Sequence, residues 1–82
     1  MKQIKSVKEL KEICQSQPDE WFEFFIAFGI ARSSKTISWQ EDTFVVVNEI
    51  DGTVQELDEK QLEDESLTNI GKAIRKGAFY QY

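Results

Sequence analysis

The sequence predicts an α+β fold: a small antiparallel sheet, a meander of three to four strands, packed with an N-terminal helix and a C-terminal helix. Three observations carry that prediction. Five of the ten aromatic residues fall in the eight positions Trp21 to Phe28, so this stretch must form the centre of whatever core exists. Two hairpin signals come after it, Glu41-Asp42 and Asp51-Gly52. Apolar stripes at helical spacing lie on either side, from Val7 to Cys14 and from Leu67 to Ile74. The 82 residues form one domain, 1–82, with room for a single core.

Ser6-x-x-Glu9 is a capping box, in which the serine oxygen takes the amide of Glu9 and Glu9 returns to the serine's own amide. Val7, Leu10, Ile13 and Cys14 then mark the buried stripe of a helix over about Val7 to Gln15, with Lys8, Glu9, Lys11 and Glu12 outside and Pro18 closing it. Cys14 lies on that stripe among apolar neighbours and has no histidine to activate it, which favours a core filler over a reactive thiol.

Two readings compete for Trp21 to Ile30. Pro18-Asp19-Glu20 is a fair helix start, with proline at the first position and acids in the first turn. Against it, Phe22, Phe24, Ile26, Phe28 and Ile30 alternate without a break, and aromatic and β-branched content suits a strand. The strand is preferred. Arg32-Ser33-Ser34-Lys35 then breaks the apolar pattern and reads as a turn or bulge.

Beyond it, Ile37 and Trp39 alternate with polar residues. A two-residue loop at Glu41-Asp42 sets Trp39 opposite Phe44 and Ile37 opposite Val46, bringing four large apolar groups to one face. Aspartate followed by glycine at 51–52 suits a type I′ turn. A two-residue loop there pairs Val46 with Leu57, and a three-residue loop pairs Val47 with Leu57. Either makes Val54 to Leu57 a short edge strand, guarded by its glutamates. Asp58-x-x-Gln61 caps a short helical turn through Leu62. Ser66 or Thr68 caps the last helix, with Leu67, Ile70, Ala73 and Ile74 buried, Lys72, Arg75 and Lys76 in its C-terminal half, and Gly77 as its stop. Phe79 is expected to dock. The expected core is Phe24, Ile26, Phe28, Trp39, Phe44, Val46 and Ile70.

Composition excludes much chemistry. One cysteine and no histidine rule out an internal disulfide and the usual nitrogen and sulfur metal ligand sets, so no cofactor or metal is expected and a reducing, cytoplasmic setting fits. No apolar run approaches the roughly 20 residues of a membrane span, and no basic-plus-apolar leader opens the chain. Ser-His and Cys-His pairs are absent, and Ser34-Lys35 cannot act as a dyad on an extended strand, where neighbours point apart. Gly71-Lys72-Ala73 matches a phosphate loop only at Gly-Lys, and a calcium loop aligned on Gly52 puts Val47 where an aspartate must stand. The fifteen acids sit in turns and a charged loop, which argues for solvated surface over a catalytic pair.

The candidates for binding are therefore the donors of the bend, Arg32, Ser33, Ser34 and Lys35, and the basic face of the last helix, Lys72, Arg75 and Lys76. The net charge of −5 disfavours nucleic acid as the partner and leaves it as the alternative to protein, acting through these local basic patches and exposed Trp or Tyr. An enzyme ranks last.

Three segments carry a resemblance: Arg32-Ser33-Ser34-Lys35 after an aromatic strand, Asn48-Glu49-Ile50-Asp51-Gly52-Thr53, and Thr68 to Ile74 with Gly77-Ala78-Phe79-Tyr80. Over about Phe22 to Tyr82 the chain resembles small uncharacterised proteins of bacterial phages, prophages and mobile elements. The resemblance implies an accessory protein that acts by binding, and it transfers no catalytic residue.

Overall fold

The computed structural model describes residues 1–82. In chain order its elements are β1 (Lys2–Gln3), α1 (Val7–Ser16), β2 (Phe22–Phe28), β3 (Ala31–Gln40), β4 (Thr43–Asn48), β5 (Thr53–Leu57), α2 (Glu59–Glu63), α3 (Ile70–Arg75) and β6 (Phe79–Gln81). The strands form one antiparallel sheet in the order β1-β6-β2-β3-β4-β5. The expected α+β meander is present as β2 to β5. The sheet is larger than three to four strands because both chain ends add to it: β6 lies between β2 and β1. Strands of two and three residues are too short to show a period in sequence, so their pairing leaves no signal there.

The aromatic run is a strand, and its alternation divides the sheet into two faces. Phe24 and Ile26 join the helix side chains Val7, Leu10, Cys14, Leu62, Ile70, Ala73 and Ile74 in one core, with Ile4, Ile37, Phe44, Val46, Leu57 and Phe79. All three helices thus bury their stripes on the same face of the sheet. Phe79 does more than dock: it pairs with Ile26 in the ladder and stacks on Phe24 at 5.3 Å between centroids. Phe25 is 1% exposed yet points to the opposite face, outside this core. Trp39 is only partly buried against the core, and Phe28, expected inside it, is exposed near the hairpin tip, beyond the reach of the helices.

Most local signals act as expected. Ser6 Oγ accepts from the Glu9 amide, although the Glu9 carboxylate reaches back to the Lys5 amide and not to that of Ser6. Glu41 and Asp42 both have positive φ, 50° and 63°, and the resulting turn sets Trp39 opposite Phe44 and Ile37 opposite Val46. Asp58 and Gln61 make a reciprocal capping box. Gly77, at φ 68°, ends α3, and its amide donates to the Ile74 carbonyl.

Three positions differ from the sequence reading. The bend lies at Gly29-Ile30, with Gly29 at φ 62°, so Arg32 to Lys35 are strand residues of β3 paired with β2. The loop before β5 has four residues, giving Phe44 opposite Leu57 and Val47 opposite Val54. It is closed by Asp51 Oδ1, which accepts from the Thr53 amide and hydroxyl, and by a bond from the Gly52 amide to the Asn48 carbonyl. Finally, Ser66 bonds Asp64 and caps nothing in α3, while Leu67 stays exposed. Thr68 Oγ1 accepts from the Ile70 amide at the helix start.

Candidate functional site

Because Arg32, Ser33, Ser34 and Lys35 are consecutive on a strand, they cannot converge. Register sends Ser33 and Lys35 to the face of Ile26 and Phe24, and Arg32 and Ser34 to the face of Ala27 and Phe25. The four donors expected at one bend therefore serve two surfaces.

On the face that no helix covers, Phe25 is the centre. Tyr80 stacks on it at 5.3 Å, Tyr82 tilts against it at 4.6 Å, and the Arg32 guanidinium lies 4.8 Å from its ring centroid. An arginine over a phenyl ring is attracted by the ring's negative face and keeps its N–H groups free for another acceptor. Tyr82 itself is 61% exposed. Beside the cluster, Glu23, Ser34, Thr36, Glu49 and Tyr82 border a shallow depression of about 350 Å³, in which Thr36 Oγ1 donates to Glu49 Oε1 at 2.6 Å. Val45, Val47 and Val54 continue the face toward the far edge by the same alternation. Sequence reasoning misses the Phe25–Tyr80–Tyr82 group, for which Tyr80-x-Tyr82 is the one available signal.

On the helix-bearing face, beyond the end of the core, a polar row crosses three strands: Lys35 opposite Asn48, and Asn48 opposite Thr53. The Lys35 ammonium donates to Asn48 Oδ1, and Asn48 Nδ2 donates to Thr53 Oγ1 and Gln55 Oε1. Gln55 Nε2 in turn donates to the Leu67 carbonyl, tying the sheet to the α2–α3 connection. Together they wall a cleft of about 530 Å³. Burial holds the Lys35 ammonium below its ordinary pKa, against the opposing attraction of Asp51.

The helix cations form a third, separate place on α3. Arg75 bonds the Glu65 carboxylate at 2.6 Å, and that hydrogen bond, more than the charges of Arg75, Lys72 and Lys76, holds Glu65 below the usual carboxylate range. Part of the basic face is thus neutralised by its own chain. Gly71, which with Lys72 makes the partial match to a phosphate loop, is a packing residue. A Cβ there would stand 2.8 Å from the Leu62 carbonyl oxygen and from Glu63 Cα, where α2 crosses α3. Cys14 is fully buried, and burial pushes its thiol up to about 12, so it carries no thiolate near neutral pH. No helix is long and apolar enough to cross a membrane.

Comparison with protein-family models, with curated proteins and with solved structures returned no match. The surfaces themselves are the basis for any functional reading.

Proposed function

We propose that this chain is a non-enzymatic interaction module that binds a protein partner through the uncovered face of its sheet, centred on Phe25. The observation that carries this reading is the Arg32–Phe25–Tyr80–Tyr82 cluster on a face with no covering layer. Arginine, tyrosine and tryptophan dominate the energetics of protein interfaces because they combine large apolar area with a polar tip. Trp21, 46% exposed and just before β2, adds a third such residue type beside the strand. Glu23 and Glu49 supply acceptors on the same face as Arg32, so the face is mixed in charge, as protein interfaces are. A cytoplasmic accessory role in a mobile element accords with the resemblance of residues 22–82.

The test is capture of a partner from bacterial lysate by the tagged chain, repeated with Arg32→Ala and Tyr82→Ala after their melting curves are shown to match the wild type. Loss of the same partner from both variants is the expected result. Equal capture by all three forms would refute the assignment of this face.

The same cluster favours a second reading, single-stranded nucleic acid stacked on Tyr80 and Tyr82 with Arg32 at the backbone. The net charge of −5 and the carboxylates of Glu23 and Glu49 on that face oppose it. Oligonucleotide binding that weakens steeply with salt and is lost in Tyr82→Ala would reverse the preference.

A further inference from the structure

The cleft beside Lys35 lies on the opposite side of the sheet from the Phe25 cluster, so its chemistry is independent of the role of that face. Lys35 occupies an unusual place. It stands directly across from Phe24, which is fully buried, and two residues before the fully buried Ile37 on the same strand face. An apolar side chain there would extend the core. An ammonium there loses part of its hydration, a cost that an opposing charge would offset.

No carboxylate of the chain makes a direct ion pair with it. The ion pairs of the molecule are Lys2–Glu9, Lys11–Glu59 and Arg75–Glu65, and Lys35 is in none of them. Asp51, the carboxylate whose attraction reaches it, offsets part of that cost from a distance, its Oδ1 receiving the amide and hydroxyl of Thr53. The Lys35 ammonium has three N–H groups and gives one to Asn48 Oδ1. Asn48 cannot turn to help, since both side-chain acceptors of its Nδ2 are fixed on β5.

Other donors border the same cleft. Thr68 Oγ1 accepts from the Ile70 amide and so keeps its own O–H to give. The Ser33 hydroxyl and the Asn69 carboxamide line the cleft without an intramolecular hydrogen bond of their side chains. The unspent groups on residues bordering the cleft are therefore two ammonium N–H bonds, two hydroxyls and one amide, from β3 and from the α2–α3 connection.

We propose that this cleft is a binding site for a carboxylate group, held by the Lys35 ammonium with the donors of Ser33, Thr68 and Asn69 around it. A monoanion is favoured over a phosphate dianion because the site offers one cation, and the Asp51 carboxylate on its rim repels a dianion about twice as strongly as a monoanion. The carboxylate comes either from a small free acid or from the C-terminus of a peptide. The chemistry of recognition is the same for both.

The experiment uses the ¹⁵N-labelled full chain, followed by amide chemical shifts during titration with sodium acetate against sodium chloride at equal ionic strength. A second arm uses a short neutral peptide with a free C-terminal carboxylate, beside the same peptide as its C-terminal amide. The expected result is saturable shifts confined to Ser33, Lys35, Asn48, Thr68 and Asn69, produced by acetate or the free-acid peptide and by neither chloride nor the amide. Response to acetate and peptide alike identifies the carboxylate alone as the ligand, and response to the peptide only identifies a chain terminus. Lys35→Met, which keeps the apolar stem, should weaken binding roughly tenfold or more. Should that variant not fold, Asn69→Ala, at an exposed position, should weaken it with the spectrum otherwise unchanged. Shifts that fail to saturate, that match those in chloride, or that persist undiminished in the folded variants would overturn the proposal.

Discussion

Replacing Phe44 with alanine removes the side chain that joins the central hairpin to the core. Phe44 is fully buried, meets the Trp39 ring edge-on at 4.9 Å between centroids, and stands opposite Leu57 in the ladder. A phenylalanine buries about 150 to 250 Å², which at about 25 cal/mol per Å² is about 4 to 6 kcal/mol. Alanine keeps the Cβ and the neighbours relax in part, so the expected loss is about 3 to 5 kcal/mol. A domain of this length holds roughly 4 to 12 kcal/mol in all, so the variant is at or near the limit of folding. Urea unfolding followed by circular dichroism reads the loss as a lower midpoint with an unchanged slope. The control is Phe25→Ala, since Phe25 is equally buried but lies on the face without helices, packed against Tyr80, Tyr82 and Arg32. Those side chains can settle over the gap, and the loss there should be about 2 to 3 kcal/mol. A Phe44→Ala protein within about 1 kcal/mol of wild type would refute the packing argument, and so would a reversed order of the two variants.

The packing of the helices sets two further outcomes. Gly71→Ala should destabilise by about 1 to 3 kcal/mol, because the added carbon meets the backbone of α2 and not a movable side chain; thermal unfolding checks it. Cys14 should be inert to a thiol reagent in the native state and react only on unfolding. Its thiol is raised to about 12 by burial, so the neutral form is favoured by the fold. That contribution is complete below the unfolded thiol's pKa and declines as pH rises from about 9 toward 12, which denaturant titrations at pH 8 and above would show.

The parts of the fold legible in the sequence are those with a local cause. The hairpin at Glu41-Asp42 is readable because one register alone puts Ile37, Trp39, Phe44 and Val46 together, and the capping box at Asp58 because two side chains satisfy each other. The four-residue loop before β5 is not, since Asp51 closes the turn with its side chain in place of the positive φ of its own that the aspartate-glycine pair suggests. The edge strand β1 and the inner strand β6 depend on contacts between residues nearly the whole chain apart, such as the Ile4 amide to the Phe79 carbonyl. The Arg32 to Lys35 segment stands out in the sequence, but its polarity suggests a bend that the chain makes earlier, at Gly29. Polar residues can continue a strand where one face has no covering layer and the other extends past the helices. That same circumstance separates the four donors into two sites.

Whether the uncovered sheet face carries the partner is tested most directly by mapping the footprint of that partner on the labelled chain by cross-saturation. The expected footprint alternates along the strands, with Phe25, Arg32, Ser34, Tyr80 and Tyr82 saturated and the outer surfaces of α1, α2 and α3 silent. A footprint centred on the helices, or on Lys72, Arg75 and Lys76, would contradict it.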